Sequence, residues 1–194
     1  AWRQRGYAAA KPADAIAVFG RAITLDADDA DAYAARGRAW MRLQEPAKAA
    51  ADYDRAVGIA ARSGADAATV AAWRADRAAA RVASGESAAA IDDLRSVAGA
   101  RGAPDDHRNL AAALASSGDW HGAREAYDRA IAASPQPQWL GERALVLVEL
   151  GDDAAAGADL DRCVQADPSC ARDAGALAAR RAGELGRPAP GGIR

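Results

Sequence analysis

Small and large apolar residues recur along the chain at helical spacing. In the stretch that begins at Ala123, Tyr127 follows four positions later and Ala130 three positions after that. Offsets of four and three place all three side chains on one face of an α-helix. The same kind of triplet occurs at Ala15/Phe19/Ala22, Ala49/Tyr53/Ala56, Ala90/Leu94/Val97, Ala123/Tyr127/Ala130 and Ala156/Leu160/Cys163. Each copy therefore predicts an amphipathic helix that buries this face.

The spacing of the triplets indicates a repeated unit. Their first residues lie 34, 41, 33 and 33 positions apart. A second, shorter amphipathic stretch precedes each of the later triplets, as "HRNLAAALASSG" precedes the fourth. Gly85, Gly118 and Gly151 occupy equivalent places after these stretches, where glycine is a common helix terminator. A period of this size with two helices per unit is typical of a stacked helical array.

The unit resembles the tetratricopeptide repeat, whose pattern is W-x2-L-G-x2-Y, then A-x3-F, then P. The match is best in the fourth copy, through Leu110, Ala111, Leu114, Ala123, Tyr127, Ala130 and Pro135. The resemblance covers roughly residues 1–168. It implies an all-α fold, a right-handed helical-repeat solenoid built from antiparallel helix pairs.

We predict one superhelical domain over residues 1–185 and a flexible tail over residues 186–194. The expected units span roughly 1–29, 30–66, 67–103, 104–136 and 137–168, and a capping helix over 169–185 covers the apolar end of the stack. The first unit has a shortened leading helix. The longer spacing between the second and third copies predicts either longer helices or an added turn.

Composition and charge exclude several classes of function. The formal charge is −2 with a pI near 5.7, so the chain has no global basic footprint for nucleic acid. The longest apolar run, "ALVLVEL", is too short to cross a bilayer, and we identify no signal peptide. The chain starts with Ala1, so we expect a soluble protein that is either cytoplasmic or exported after trimming.

No combination of residues predicts catalysis, a metal or another cofactor. The chain contains no G-x-S-x-G, HExxH, P-loop or CxxC motif. His107 and His121 are expected about 20 Å apart at the starts of successive helices, which is too far to share a metal. The run Asp26–Tyr33 lacks the central glycine and terminal glutamate of an EF-hand loop, so we interpret it as a turn and helix cap.

The two cysteines match no zinc or redox spacing. We interpret Cys163 as a small buried apolar residue and Cys170 as a residue at a helix start. A disulfide or a metal role for the pair is the alternative.

Arginines stand at apolar positions of the repeat pattern in the third unit. We expect the stems of Arg74, Arg77 and Arg81 to cover apolar surface while their heads reach acids such as Asp92 or Asp93. A basic stripe that binds a partner is the alternative.

The resemblance implies a concave groove, lined by the leading helix of each unit, that holds a peptide or a partner helix. Helical phase separately identifies the residues that lie off the packed face, Ala34 and Ala35 among them. The candidate groove residues are Arg38, Met41, Arg42, Asp76, Arg108, Asn109, Glu142 and Glu149. They predict an alanine-rich floor with a basic early end and an acidic late end. Such a surface suits a segment with apolar anchors and mixed charge.

We therefore expect a non-enzymatic interaction module, part of a bacterial-style scaffold protein, that binds a protein or peptide partner. The alternative is a regulatory or substrate-recruiting domain of an enzyme whose catalytic part lies outside these residues. Self-association through the incomplete end repeats is a further hypothesis.

Overall fold

The computed structural model describes residues 11–170, and these residues form α-helices joined by short turns. The helices are α1 (Pro12–Leu25), α2 (Ala30–Arg42), α3 (Pro46–Ser63), α4 (Ala67–Ala83), α5 (Ser87–Arg101), α6 (Pro104–Ser116), α7 (Trp120–Ala133), α8 (Pro137–Glu149) and α9 (Asp153–Ala166), followed by a 3₁₀ turn at Pro168–Cys170. Within this part of the chain no residue is in a β-strand. The all-α prediction is confirmed. Most of the predicted capping helix, the tail and residues 1–10 lie outside the described residues.

Helices that follow one another in the chain pack against one another. Further contacts join α2 to α4 and α6 to α8, so the leading helices in each of these two pairs are neighbours. The helices α1, α3, α5, α7 and α9 carry the five triplets, and their large residues are buried. The predicted buried face is confirmed for all five copies. Alanine fills most of the remaining core positions and allows the helices to approach closely.

The extra residues between the second and third units lengthen two helices. Helix α3 has 18 residues and α4 has 17, whereas α2 has 13 and α7 has 14. The turn between α3 and α4 stays short, with Gly64 in a left-handed conformation at its start. The spacing predicted either longer helices or an added turn, and the structure has longer helices.

Aspartates begin many of the helices. The Asp29 side chain accepts a hydrogen bond of 3.0 Å from the backbone N–H of Ala32, and Asp26 accepts one from Asp28 within the preceding turn. The interpretation of Asp26–Tyr33 as a turn and cap is therefore confirmed. The corresponding caps of later helices are Asp66, Asp119 and Asp152. Side-chain oxygens at these positions satisfy backbone N–H groups that the helix leaves unpaired.

Two glycine-to-alanine substitutions are expected to change stability in opposite directions. Gly118 has φ +84° in the turn after α6, a conformation that alanine resists, so Gly118→Ala should destabilise by about 1 kcal/mol. Gly58 lies inside α3 with room for a Cβ atom, so Gly58→Ala should stabilise by about 0.5–1 kcal/mol. Urea denaturation of both variants measures the difference. Shifts of the same sign would contradict the assignment of Gly118 as a conformational helix terminator.

Cys163 and Cys170 form a disulfide with their Cα atoms 5.8 Å apart. The interpretation as two separate cysteines is wrong, although Cys163 is buried as expected. The chain turns back after Asp167 into the 3₁₀ turn, which brings residues seven positions apart together. The spacing of cysteines in the sequence can identify zinc and redox motifs, but it contains no information about this turn.

Candidate functional site

All eight candidate groove residues lie on leading helices and are exposed or half-buried. Helix α2 carries Arg38, Met41 and Arg42, α4 carries Asp76, α6 carries Arg108 and Asn109, and α8 carries Glu142 and Glu149. Ala34 and Ala35 are instead buried, so their assignment to the groove is wrong. Both alanines face neighbouring helices, because α2 is packed against α1, α3 and α4.

Tyr53 joins two of the groove residues between α2 and α4. Its ring lies against Gly37 of α2, and its hydroxyl faces Asp76 of α4. Arg38 pairs with the same carboxylate at 3.9 Å between Nη1 and Oδ2. Burial raises the pKa of Tyr53 above its ordinary range and also raises the pKa of Asp76. The tyrosine therefore stays protonated and acts as a hydrogen-bond donor.

A second cluster of the same type joins α6 to α8. Arg108 binds Glu142 through both ends of its guanidinium, with 2.9 Å between Nε and Oε2. This hydrogen bonding raises the pKa of Arg108. The Tyr127 hydroxyl faces the same Glu142, and burial raises the pKa of Tyr127 above its ordinary range. Asn109 accepts a long hydrogen bond of 3.4 Å from Arg108.

These pairs change the electrostatic expectation for the groove. Arg38 and Arg108 each lie beside an acid of the next leading helix, so much of their charge is compensated inside the protein. The expected basic early end then depends on Arg42 at the end of α2. Glu149 lies at the end of α8, where the acidic late end is expected.

An open pocket of about 340 Å³ lies between α4 and α6, and we call it the α4–α6 pocket. Its floor includes Leu94 and Val97 of α5. Its walls include Ala75, Ala79, Val82, Asp106, Asn109 and Ala112. The walls consist mostly of small apolar side chains, which suit an apolar anchor of a bound partner.

Sequence analysis missed Leu94, Val97 and Asp106 as candidate site residues. Leu94 was assigned to the core because it is the large residue of the third triplet. The size of Leu94 is the sequence feature that could have indicated a pocket, because the second and fourth triplets have a larger tyrosine at the same position. Leucine is shorter, and the difference leaves space between the leading helices.

The arginines of the third unit pair inside the protein. Arg77 binds Asp93 through both ends of its guanidinium, with 2.7 Å between Nε and Oδ2, and Arg81 reaches the same carboxylate at 3.2 Å. Both also contact Asp54 of the preceding unit. Arg74 donates to Ser96 instead. The expectation that these heads reach an acid is confirmed for Arg77 and Arg81.

The described residues show no arrangement suited to metal chemistry. Within residues 11–170, no three side chains of His, Cys, Asp or Glu lie close enough together to hold an ion. His107 lies in α6 and His121 in α7. In the same part of the chain, no helix combines the length and apolar character needed to span a membrane.

The profile of the tetratricopeptide repeat family matches residues 2–67 and 108–169. This match covers more than half of the chain, and the protein belongs to the tetratricopeptide repeat (TPR) family. Members of this family are in general non-catalytic interaction modules, and their stacked repeats create extended concave binding surfaces. The chain is accordingly a protein-interaction scaffold.

Solved TPR structures share the fold. MamA is 19% identical with a TM-score of 0.70, and the match covers 83% of this chain and 91% of that one. MamA of Desulfovibrio magneticus RS-1 is 15% identical with a TM-score of 0.72, over 86% and 92% of the two chains. YrrB, described as a TPR protein with an unusual peptide-binding site, is 15% identical with a TM-score of 0.76, over 86% and 83%. At these identities the likeness concerns the fold alone. No curated protein matches the sequence.

Proposed function

We propose that the protein binds a peptide or a partner helix along the face formed by α2, α4, α6 and α8. The α4–α6 pocket is the anchoring site of this groove. The observation that carries the proposal is this pocket, which is open, mostly apolar and placed between two leading helices. Pockets of this kind receive the apolar anchor residues on which most binding energy depends.

Exposed apolar side chains on the same helices support this assignment. Val82 of α4 is 45% exposed and Leu145 of α8 is 44% exposed. Met41 of α2 is half-buried on the corresponding face. A partner that lies across the leading helices would remove these side chains from water, which favours association. The peptide-binding site described for YrrB, which has a similar fold, supports an occupant of peptide size.

Closing the pocket from the solvent side is expected to weaken binding of peptides selected for this groove. The protein is used to select peptides from a displayed random library, and their affinities are measured by fluorescence polarisation. Ala79 is exposed at the pocket wall, so Ala79→Phe should lower affinity at least about tenfold without disturbing the core.

Ala51→Phe provides the matched control for this substitution. Ala51 is exposed on the trailing helix α3 and does not line the pocket, so its variant should bind as the native protein does. Selection of no peptide would contradict the proposed function. Peptides that bind both variants with native affinity would place the site elsewhere on the molecule.

We also propose that the protein resides in an oxidising compartment, which corresponds to the exported alternative. The Cys163–Cys170 disulfide supports this, because disulfides persist in oxidising environments and are rare in the cytosol. Acid-quenched thiol labelling of the protein from its native cells tests the proposal. Quantitative labelling of both cysteines would contradict it.

A further inference from the structure

Gaps separate successive leading helices, and a tyrosine fills two of them. Tyr53, 1% exposed, fills the gap between α2 and α4, where its hydroxyl meets Asp76. Tyr127, 3% exposed, fills the gap between α6 and α8, where its hydroxyl meets Glu142. The repeat spacing places Leu94 at the same position in the gap between α4 and α6. This middle gap therefore has no phenol ring.

The middle gap also lacks the buried tryptophan that is present beside each of the neighbouring gaps. Trp73 in the first half of α4 is 5% exposed, and Trp139 at the start of α8 is 9% exposed. Each packs in a cluster with the preceding trailing helix. Asp106 of α6 lies 33 residues from both and so occupies the equivalent position. The middle gap thus contains neither of the two aromatic rings of its neighbours.

The ion pairs of the neighbouring gaps are missing in the middle gap as well. By repeat spacing, Ala79 corresponds to Arg38, and Ala75 corresponds to Arg108. Asn109 stands where Asp76 and Glu142 stand in the other gaps and is neutral. Ala75, Ala79, Leu94, Asp106 and Asn109 all line the α4–α6 pocket. Each large group that fills the neighbouring gaps is therefore replaced by a smaller one in the middle gap. The α4–α6 pocket is the space that remains.

Size favours an aromatic occupant for this space. The α4–α6 pocket measures about 340 Å³. An apolar cavity of about 150 Å³ is enough to bind a benzene ring in a protein. One tyrosine-sized side chain thus fits, as the neighbouring gaps hold tyrosines between helices of the same kind.

Charge favours a neutral anchor with one hydrogen-bond donor. Arg108 also lines the pocket but is paired with Glu142, and apart from Asp106 the other lining side chains are uncharged. Asp106 is 7% exposed in the pocket wall, and its Oδ2 lies 3.3 Å from Nε of Arg101. Within the described residues this oxygen accepts no hydrogen bond. The Asp106 carboxylate lines the pocket, so a hydroxyl that enters the pocket can donate a hydrogen bond to it.

We propose that the α4–α6 pocket receives a tyrosine side chain of the bound partner. The partner's ring takes the place that Tyr53 and Tyr127 hold in the adjacent gaps, and its hydroxyl donates to Asp106. This inference rests on the proposed function and names the anchor of the groove.

Titration with p-cresol, the side-chain analogue of tyrosine, tests the pocket without any peptide. Methyl NMR of the isoleucine, leucine and valine residues of the full chain should show saturable shifts confined to Val82, Leu94 and Val97, and toluene should bind more weakly. Leu94→Tyr should abolish the shifts at Val82 and Val97, because the new ring fills the gap from below. Ala79→Phe closes the pocket from the solvent side and should have the same effect at these two valines.

Two outcomes of the titration would overturn the inference. One is the absence of saturable shifts in the native protein. The other is unchanged binding of p-cresol by both Leu94→Tyr and Ala79→Phe. Because Ala79 is exposed, its variant decides the question even if Leu94→Tyr fails to fold.

The peptides selected from the random library provide a second and separate test. They should share one tyrosine, and its replacement by leucine should lower affinity about 30-fold. Peptides that bind the groove without an aromatic anchor would overturn the inference and leave the proposed function intact. Selection of no peptide would contradict the proposed function, while p-cresol would still report on the pocket. Self-association that Leu94→Tyr abolishes would assign the pocket to a second copy of the chain, against the proposal.

Discussion

Asp52→Ala is expected to lower the free energy of unfolding by about 3 kcal/mol. Asp52 is buried in α3 and accepts two hydrogen bonds of 2.7 Å from Arg36 of α2. This hydrogen bonding raises the pKa of Arg36. Removal of the carboxylate leaves a guanidinium that is only a quarter exposed without its counterion. The cost is placed at the lower end of the range for buried pairs because Arg36 keeps some contact with water.

Asp28→Ala is the matched control for this substitution. Asp28 also pairs with an arginine, Arg62, at 3.4 Å, but both side chains are exposed. Exposed ion pairs contribute less than about 1 kcal/mol, so Asp28→Ala should be close to neutral. Urea denaturation followed by circular dichroism measures both variants, and equal m-values allow the midpoints to be compared. Equal destabilisation of the two variants would contradict the distinction by burial.

The fourth unit of the chain suggests a rescue for Asp52→Ala. By repeat spacing, Leu110 and Ala126 stand at the positions of Arg36 and Asp52. Both are buried, so the array accepts an apolar pair in place of the ionic one. The double variant Arg36→Leu/Asp52→Ala should therefore recover most of the lost stability. A double variant less stable than Asp52→Ala would show that the arginine stem, rather than the ion pair, dominates at this position.

Reduction of the Cys163–Cys170 disulfide is expected to lower the free energy of unfolding by about 2.5 kcal/mol, because it releases a short closed loop in the unfolded chain. The bond joins the end of α9 to the following 3₁₀ turn. The last unit should therefore lose stability first, since each unit of an array depends on its neighbours. Denaturation with and without dithiothreitol measures the effect.

Cys163→Ala/Cys170→Ala is the control for reduction. Alanine suits the buried position of Cys163, because Ala22, Ala56 and Ala130 hold it in other copies. The double variant should have the stability of the reduced protein and should not respond to dithiothreitol. A native protein that is equally stable with and without reductant would contradict the stabilising role of the bond.

The helices and their buried faces were predictable because they depend on local spacing. Residues four and three positions apart share a helix face whatever the rest of the chain does. The same phase placed Arg108 and Glu142 on exposed faces of their own helices. It contained no information that the two bind each other, because they lie 34 residues apart and meet only when α6 packs beside α8. The assignment of Ala34 and Ala35 to the groove was wrong for a related reason, because α2 has neighbours on more than one side.

The sequence by itself determined the repeat, the all-α class and the turns, because each depends on residues close together in the chain. Only the tertiary structure decided which side chains meet between repeats. Leu94 became the floor of the α4–α6 pocket because α4 and α6 leave a space between them that no tyrosine ring fills. Cys170 became the partner of Cys163 because the chain reverses after α9. Contacts of this kind depend on the packing of whole helices, which no local pattern specifies.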